Sequence, residues 1–377
     1  MNSALLTERS FAEIIATHGG RVFRVGGCVR DQFMGVKPKD IDFSIVGMVK
    51  KNFTMLFPDA EEYGKSFPVF RLLIDGIKCE LAFARTERKV SSGYKGFKVS
   101  SKPKITIQED LFRRDTTVNS IAMDCLTGEI IDPYGGIQDI KNKILRATSQ
   151  HFVDDPMRAL RLAGQSARLG FTIDAGTLTM ASAVATELGD EPAERMLIEL
   201  TKVLAEAEQP GTFFRVLAKT KLLKITFEEI SSLSTTDFET GMARLNSIAT
   251  MTQNSKLRFA SFGLALGKES ISRWNNVMTL PGDWLHSAIA VGKTVSLLED
   301  SSPEKIVAAI NGLRRGSLSV EEFDIIAQGA GLSVPVLGPL KTAMTVVPEV
   351  MVPQALTGKD IGEWLRQKHV ETISKLL

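Results

Sequence analysis

The stretch at residues 21–47, RVFRVGGCVRDQFMGVKPKDIDFSIVG, decides the fold of the first part of this chain. Apolar residues Val22, Phe23 and Val25 lead into the pair Gly26-Gly27. A helix-compatible run at 29–34 follows, and residues 40–46 alternate in the manner of a second strand. The pattern predicts a strand, a glycine turn, a short helix and another strand.

Two aspartates open the second predicted strand. Residues two apart on a strand point to the same face, so Asp40 and Asp42 are expected to present their carboxylates together. Such a pair repels unless a cation lies between the two groups, and oxygen ligands favour Mg²⁺ held with substrate phosphates. Gly26 and Gly27 leave room for a phosphate at the start of a helix. A D-x-D alone is weak, because aspartates at strand ends more often cap turns or face solvent.

Composition restricts the class of protein. A chain of 377 residues with 44% hydrophobic and 24% charged residues is typical of a soluble globular protein of two to four units. No apolar run is long enough for a membrane span, and the amino terminus is unlike a signal peptide, so we expect a cytoplasmic protein. The three cysteines lack metal-ligand spacing and are expected to be reduced thiols. The net charge of +2 neither indicates nor excludes nucleic acid.

The glycine pair is followed by Val29, Arg30 and Asp31, and the D-x-D comes about ten residues later. This combination resembles the signature of the class II tRNA nucleotidyltransferases, the CCA-adding enzymes, and of their bacterial poly(A) polymerase relatives. The resemblance implies that Gly26, Gly27 and Arg30 bind a nucleotide triphosphate and that Asp40 and Asp42 are catalytic metal ligands.

A hairpin is predicted at residues 67–83, because Asp75-Gly76 separates two apolar runs. Glu80 falls on its second strand. Taken alone, Glu80 is more simply an edge-strand residue in water. The resemblance implies that it is the third carboxylate of the metal site. Residues 85–97, rich in glycine, serine and charge, are predicted to be a loop, and the resemblance implies that this loop helps the site change from CTP to ATP.

The run at 109–124, EDLFRRDTTVNSIAMD, contains two arginines followed by an aspartate. Guanidinium groups can form two parallel hydrogen bonds to a phosphate, although a basic pair on a helix is usually just exposed to solvent. The run resembles the family's R-R-D-x-T-x-N motif, which implies sugar and phosphate contacts for Arg113, Arg114, Asp115 and Asn119. Thr116 stands where most members carry Phe or Leu, which leaves the local packing open.

A helix is predicted from Asp155-Pro156 to a stop at Gly170. Asp155 and Arg158 lie three residues apart and hence on one face, a spacing more commonly used for a capping ion pair. The segment resembles the family's E-D-x-x-R motif, although Asp154 replaces the glutamate. The resemblance implies that Asp155 and Arg158 select the incoming base. Arg161 is expected to lie beside the nucleotide or merely against the sheet.

The predicted fold class is α+β, with a mixed-sheet nucleotidyltransferase head followed by an all-α neck, body and tail. Helical patterns fill most of the chain beyond residue 174, and the resemblance is strongest over residues 20–200. The last segment that resembles the family is the tail segment at 354–365. The expected domains are a catalytic head at 1–140, a helical neck at 141–207, a helical body at 208–290 and a tRNA-binding tail at 291–377.

The resemblance implies addition of C, C and A to the 3′ end of tRNA from CTP and ATP, with Mg²⁺ as the cofactor. The expected partners are tRNA and the two nucleotides, without an obligate protein partner. Three alternatives remain: a poly(A) polymerase, a partial CC-adding or A-adding enzyme, and a non-enzymatic RNA-binding protein. The intact D-x-D and arginine motifs argue against the last.

Overall fold

The computed structural model describes residues 6–64, 67–91, 96–345, 353 and 356–377. The chain divides into two compact units, one formed by residues 1–166 and 170–191 and the other by residues 167–169 and 192–377.

The first unit contains helices on both faces of a sheet. Its helices are α1 (Glu8–Thr17), α2 (Gly27–Phe33), α3 (Lys50–Leu56), α4 (Ile107–Phe112), α5 (Gly136–Asn142), the start of α6 (Met157–Leu169), α7 (Ala175–Ala183) and α8 (Ala185–Leu188). Its strands are β1 (Arg21–Val25), β2 (Asp42–Val46), β3 (Glu61–Tyr63), β4 (Val69–Ile74), β5 (Ile77–Phe83), β6 (Thr86–Lys89), β7 (Phe97–Ser100), β8 (Ala122–Asp124), β9 (Ile130–Ile131), β10 (Ile144–Leu145) and β11 (Thr172–Ile173). Short 3₁₀ turns lie at Thr117–Asn119 and Gln150–Asp154.

Seven strands form one mixed sheet in the order β3-β4-β5-β2-β1-β8-β9. β2 and β5 run parallel, whereas β1 is antiparallel to both β2 and β8. The predicted mixed sheet of the head is thereby confirmed. β5 lies inside the sheet between β4 and β2, so Glu80 is not on an edge strand.

The predicted hairpin is confirmed, with Ile74 paired to Ile77 across the turn. Asp75 and Gly76 both have positive φ, 52° and 75°. A two-residue turn of this kind matches the right-handed twist of the flanking strands, and its two positive φ angles favour Asp-Gly. The Asp75-Gly76 turn therefore fixes the register between β4 and β5, and this register sets the position of Glu80.

The two faces of the sheet are buried differently. On one face, α1 and α3 cover an aromatic cluster whose members are Phe11, Phe43, Phe53, Phe57, Phe70 and Phe83. On the other face, α4 packs through Ile107 and Leu111 on Phe23 and Val25 of β1. Because Asp42 and Ser44 alternate with buried Phe43 along β2, their side chains point to the face that carries α4.

The helix that begins after Asp155-Pro156 ends at Gly170, whose φ of 68° is left-handed, as the sequence predicts. The segment predicted to be the all-α neck also holds the two-residue parallel pair of β10 and β11.

The second unit is helical throughout its described elements. They are α9 (Ala193–Glu206), α10 (Gly211–Lys219), α11 (Leu223–Thr226), α12 (Glu228–Ser231), α13 (Thr235–Met251), α14 (Ser255–Ala260), the 3₁₀ turn Ser261–Leu264, α15 (Lys268–Met278), α16 (Gly282–Leu298), α17 (Pro303–Arg314), α18 (Val320–Gly329), α19 (Leu337–Thr345) and α20 (Lys359–Ser374). In the tail segment predicted at 354–365, residues 354 and 355 lie outside the described ranges.

Arg258 of α14 joins several helices of this second unit. Only 2% of the residue is exposed, and its guanidinium donates to the backbone oxygens of Leu204, Ala207, Ala249 and Thr252. Burial lowers the pKa of Arg258. Over the described ranges, no helix has the length and apolar character needed to cross a membrane.

Candidate active site

Asp42 of β2 and Glu80 of β5 are register partners in these two neighbouring parallel strands. The predicted strand began at residue 40, and this was wrong, because β2 starts at Asp42 and Asp40 lies in a bend before it. Asp40 is nevertheless close enough for its charge to act on Asp42.

The pKa of Asp42 is raised to about 6. Part of the residue reaches solvent, yet the surrounding protein removes enough water from the carboxyl group that burial is the main cause. The negative charges of Glu80 and Asp40 raise the pKa further, while the guanidinium of Arg114 lowers it. The three carboxylates therefore form one electrostatic group in which a cation would relieve repulsion.

Oxygen ligands of this kind suit a hard divalent ion such as Mg²⁺. Glu80, however, is turned toward Arg71, with 3.1 Å between its Oε1 and Arg71 Nη2. In the described part of the chain, no three His, Cys, Asp or Glu side chains converge as a complete metal site. The donor set fits a divalent ion that takes its remaining ligands from phosphate or water.

The glycine turn lies against two arginines. Gly26 has a φ of 75°, and a Cβ atom placed on it would lie 3.0 Å from Nη1 of Arg114. A Cβ atom on Gly27 would lie 3.5 Å from Nη2 of Arg30. Arg30 also donates from Nη1 to Oδ1 of Asn119 over 2.7 Å. The structure thus brings Arg30, Arg114 and Asn119, which were predicted to contact the nucleotide, to the glycine turn.

A buried carboxylate, Asp110 of α4, holds the arginine pair, and sequence reasoning missed it. It accepts hydrogen bonds from Arg113 Nη2 at 2.8 Å, from Arg114 Nη2 at 3.1 Å and from the backbone N–H of Arg85 at 3.1 Å. Burial alone would raise the pKa of Asp110, but Arg113 and Arg114 hold it at about 2. The spacing of three and four residues between Asp110 and the arginines was the available signal.

Arg113 points away from the glycine turn toward a second carboxylate, Glu87 of β6. Glu87 accepts from Arg85 Nε at 2.7 Å and from Arg113 Nη1 at 3.0 Å, and its Oε2 lies 3.8 Å from Arg158 Nη2. Burial would raise the pKa of Glu87, but the neighbouring guanidinium groups outweigh that effect and lower it. Only Arg114 of the arginine pair therefore reaches the turn.

The prediction of a loop at residues 85–97 was wrong for part of its length. β6 and β7 form a two-stranded antiparallel sheet, in which Lys89 pairs with Phe97. Lys89 and Glu187 also form an ion pair. Residues 92–95 of the predicted loop lie outside the described ranges. Charged side chains concealed the strand in the sequence, because β6 makes ion pairs where most strands bury apolar residues.

Asp115 is 4% exposed, and its carboxylate accepts three hydrogen bonds and pairs with one guanidinium group. The backbone N–H of Thr116 and Nδ2 of Asn119 donate to Oδ1 over 2.8 and 3.1 Å. Nε2 of Gln165 donates to Oδ2 over 3.0 Å, and Nη2 of Arg161 lies 2.9 Å from the same atom. Burial would raise the pKa of Asp115, but Arg161 and these donors hold it at about 2. Arg161 therefore pairs with the predicted sugar-binding aspartate, and Gln165 is a partner that sequence reasoning missed.

Asp155 and Arg158 stand at the start of α6. Oδ1 of Asp155 accepts from the backbone N–H of Met157 at 3.0 Å, so this aspartate does cap the helix. Arg158 is 6% exposed and donates from Nη1 to the backbone oxygen of His151 over 2.6 Å. Burial lowers the pKa of Arg158, against the negative charges of Asp115, Asp155 and Glu87.

Comparison with known proteins gives matches over both units of the chain. Residues 22–146 match the family described as "Poly A polymerase head domain", and residues 170–233 match "Probable RNA and SrmB- binding site of polymerase A". A protein named CCA-adding enzyme from Coxiella burnetii (strain RSA 331 / Henzerling II) is 36% identical over 313 residues, which are 81% of this chain and 79% of that protein.

A protein named Multifunctional CCA protein from Haemophilus influenzae (strain PittGG) is 45% identical over 218 residues, which cover 56% of this chain and 51% of that protein. The chain thus spans about half the length of this second relative. Among solved structures, the Thermotoga maritima CCA-adding enzyme complexed with tRNA has the same fold, with a TM-score of 0.69 at 22% identity over 98% of this chain and 95% of the other. The extent of the Coxiella match, together with the head-domain match over the glycine turn and carboxylates, shows that this chain belongs to the family of the CCA-adding enzymes.

Proposed function

We propose that this protein adds C, C and A to the 3′ end of tRNA from CTP and ATP without a nucleic acid template, and releases pyrophosphate. The observation that carries the proposal is that the paired residues Asp42 and Glu80 lie near Arg114, which in turn lies beside Gly26. Carboxylates that suit a metal ion, next to an arginine at a glycine turn, suit a nucleotide triphosphate and its metal ions.

Asp40, Asp42 and Glu80 would hold Mg²⁺ together with phosphate oxygens of the nucleotide. When bound, divalent ions at such a site activate the attacking hydroxyl and neutralise charge on the departing pyrophosphate. With a pKa of about 6, Asp42 is mostly ionised at neutral pH and available as a ligand. Glu80 would hold the ion only after leaving Arg71, and both side chains of this ion pair are half-exposed.

Gly26 and Gly27 would let the triphosphate approach the backbone closely, while Arg30 and Arg114 supply charge-assisted hydrogen bonds to its oxygens. Arg113, whose guanidinium meets both Asp110 and Glu87, holds the position of the arginine pair. In this arrangement the protein contributes charge and orientation, which are the main requirements of phosphoryl transfer.

Asp115 would accept a hydrogen bond from the ribose 2′ hydroxyl, with Asn119 linking it to the triphosphate through Arg30. Because the four acceptor positions of Asp115 already have donors, the ribose would replace Arg161, whose side chain is 48% exposed. Asp155 and Arg158 would select the base. The charges of Asp115 and Glu87 act on Arg158, so its orientation depends on the proposed ribose-binding carboxylate and on β6.

The tRNA would bind along the helices of the second unit, where Arg314 and Arg315 place positive charge at the end of α17. We place the reaction in the cytoplasm, where nucleotides and tRNA are available. All three cysteines, Cys28, Cys79 and Cys125, are free thiols, as a reducing compartment favours.

A poly(A) polymerase is the second candidate, because the family matched by the head is described by that activity. The deciding experiment offers labelled CTP and ATP, separately and together, to tRNA ending at the discriminator base, with Mg²⁺ and with a chelator. Addition of C, C and one A that is lost on chelation is expected. A ladder of A residues would assign a poly(A) polymerase, and addition of only CC or only A would assign a partial enzyme. Binding of tRNA without any addition would overturn the enzymatic proposal.

A further inference from the structure

Four groups with N–H donors surround the carboxylate of Asp115. A carboxylate offers about four lone-pair positions, and Asp115 accepts hydrogen bonds from Thr116, Asn119 and Gln165 and forms an ion pair with Arg161. A hydroxyl group of a nucleotide can bind this carboxylate only by displacing one of the four. The donors that remain in place then determine where the carboxylate points.

One of these donors belongs to the backbone, and two others make a second hydrogen bond that fixes their side chains. The N–H of Thr116 belongs to the backbone, and Asn119 is held at its amide oxygen by Arg30 over 2.7 Å. Gln165 is 3% exposed, and its amide oxygen accepts a hydrogen bond from the Thr116 hydroxyl over 2.8 Å. The side chain of Arg161 is half-exposed and is the easiest of the four to displace.

The contact between Thr116 and Gln165 fixes the orientation of the amide. Thr116 is fully buried, so its hydroxyl has little freedom to turn to solvent. With its oxygen directed to Thr116, the amide of Gln165 turns its NH₂ group to Oδ2 of Asp115. The opposite orientation would set an amide oxygen against a carboxylate, and both groups are acceptors. Thr116 thus contacts the carboxylate twice, through its backbone N–H and through Gln165.

We infer that Gln165, oriented by the Thr116 hydroxyl, is a positioning residue that holds Asp115 in place for the choice of ribonucleotides over 2′-deoxyribonucleotides. The inference rests on the proposed function, since it assigns Asp115 to the ribose. When the ribose displaces Arg161, the bond from Gln165 becomes the remaining side-chain restraint on Oδ2. Without that restraint the carboxylate turns, and the hydrogen bond to the 2′ hydroxyl is misaligned.

The test measures kcat/KM for ATP and for 2′-deoxy-ATP in the addition of a single A to tRNA ending in CC, with the full-length protein and Mg²⁺. We expect wild type to prefer ATP and Gln165→Leu to reduce the ratio of the two values by about tenfold, because a buried hydrogen bond to a charged group is lost. Thr116→Val should reduce the ratio in the same direction by less. Thr116→Ser, which keeps the hydroxyl, should retain the wild-type ratio.

A purely structural role would lower both values together and leave the ratio unchanged. An unchanged ratio in both Gln165→Leu and Thr116→Val, when Asp115→Asn lowers it, would overturn the inference. If thermal unfolding shows that Gln165→Leu does not fold, Thr116→Val against Thr116→Ser decides by itself, and equal ratios in those two variants also overturn it. Wild-type protein that adds neither nucleotide would instead contradict the proposed function.

Discussion

Asp42 on β2 and Glu80 on β5 occupy the same register position of two neighbouring parallel strands. They are 38 positions apart in the sequence (80 − 42), and the parallel pairing of β2 and β5 places them side by side. The resulting repulsion contributes to the raised pKa of Asp42. This juxtaposition is the centre of the proposed metal site.

Replacement of Asp42 by Asn should abolish addition of every nucleotide, because the amide cannot supply the negative charge that a divalent ion requires. We expect kcat/KM to fall at least about 100-fold for CTP and ATP alike. Asp59→Asn, which changes a carboxylate outside the proposed site, is the control and should leave both values intact. Activity of Asp42→Asn near the wild-type level would refute the metal-ligand role.

Gly26→Ala should raise KM for CTP and ATP by about tenfold, because the new Cβ would contact Arg114 and displace a charge-assisted hydrogen-bond donor. Gly128→Ala is the control for a positive φ. Gly128 has a similar φ of 71°, but a Cβ there meets nothing within 4 Å. The ψ of −133° at Gly26 also disfavours a side chain, so unfolding of both variants by urea measures how much strain each substitution adds. Equal KM values in the two variants would contradict the role of the Arg114 contact.

Arg158→Ala should relax the choice among nucleotides more than it slows addition of the correct one. The measurement compares incorporation of GTP and UTP with that of CTP and ATP, and Arg168→Ala on the same helix serves as the control. If Arg158→Ala and Asp42→Asn lose selectivity and rate in the same proportion, the division of labour between base selection and catalysis is wrong.

Glu87→Gln should also relax nucleotide choice, because it removes the charge that Arg113, Arg85 and Arg158 share. Arg158 lies 3.8 Å from Glu87, so the effects of Glu87→Gln and Arg158→Ala should be less than additive. A double-mutant cycle on the ratio of GTP to ATP incorporation measures this coupling. Full additivity would mean that Glu87 acts independently of Arg158.

Asp110 should contribute to acid stability. Its pKa is held at about 2, below the usual value of 3.8, so its stabilisation is present above about pH 4 and is lost as the pH falls toward 2. The shift corresponds to about 2 kcal/mol in the free energy of unfolding. Urea unfolding at a series of pH values should show a smaller loss between pH 4 and pH 2 for Asp110→Asn than for wild type. Identical pH slopes in the two proteins would contradict the assignment.

Much of the local structure could be predicted, as three elements illustrate. The glycine turn, the Asp75-Gly76 hairpin and the end of α6 at Gly170 formed where the sequence indicated, whereas α2 begins at Gly27, two residues before the predicted helical run. Each depends on backbone angles and apolar spacing over a few residues. The start of β2 was misplaced by two residues. The end of a strand depends on its pairing partner, and the first residue of β2 that pairs with β5 is Asp42.

The site was predicted less completely than the fold. Sequence motifs indicated Arg30, Arg114 and Asp115, whereas Asp110, Glu87 and Gln165 were missed. The ion pair between Glu87 and Arg113 joins residues 26 positions apart, and the bond between Gln165 and Asp115 joins residues 50 positions apart. Contacts between residues so far apart in the sequence cannot be predicted from the spacing of neighbouring residues.

By itself, the sequence determined the elements around the glycine turn and the hairpin, the predicted α+β class and the residue types available for phosphate, ribose and metal. The tertiary structure decided which arginine reaches the glycine turn, which carboxylates act on Asp42 by their charge and which side chains restrain Asp115. The physical reason is that a turn or helix depends on neighbouring residues. The orientation of a buried charged group is instead set by all the donors and acceptors that folding places around it, wherever they stand in the chain.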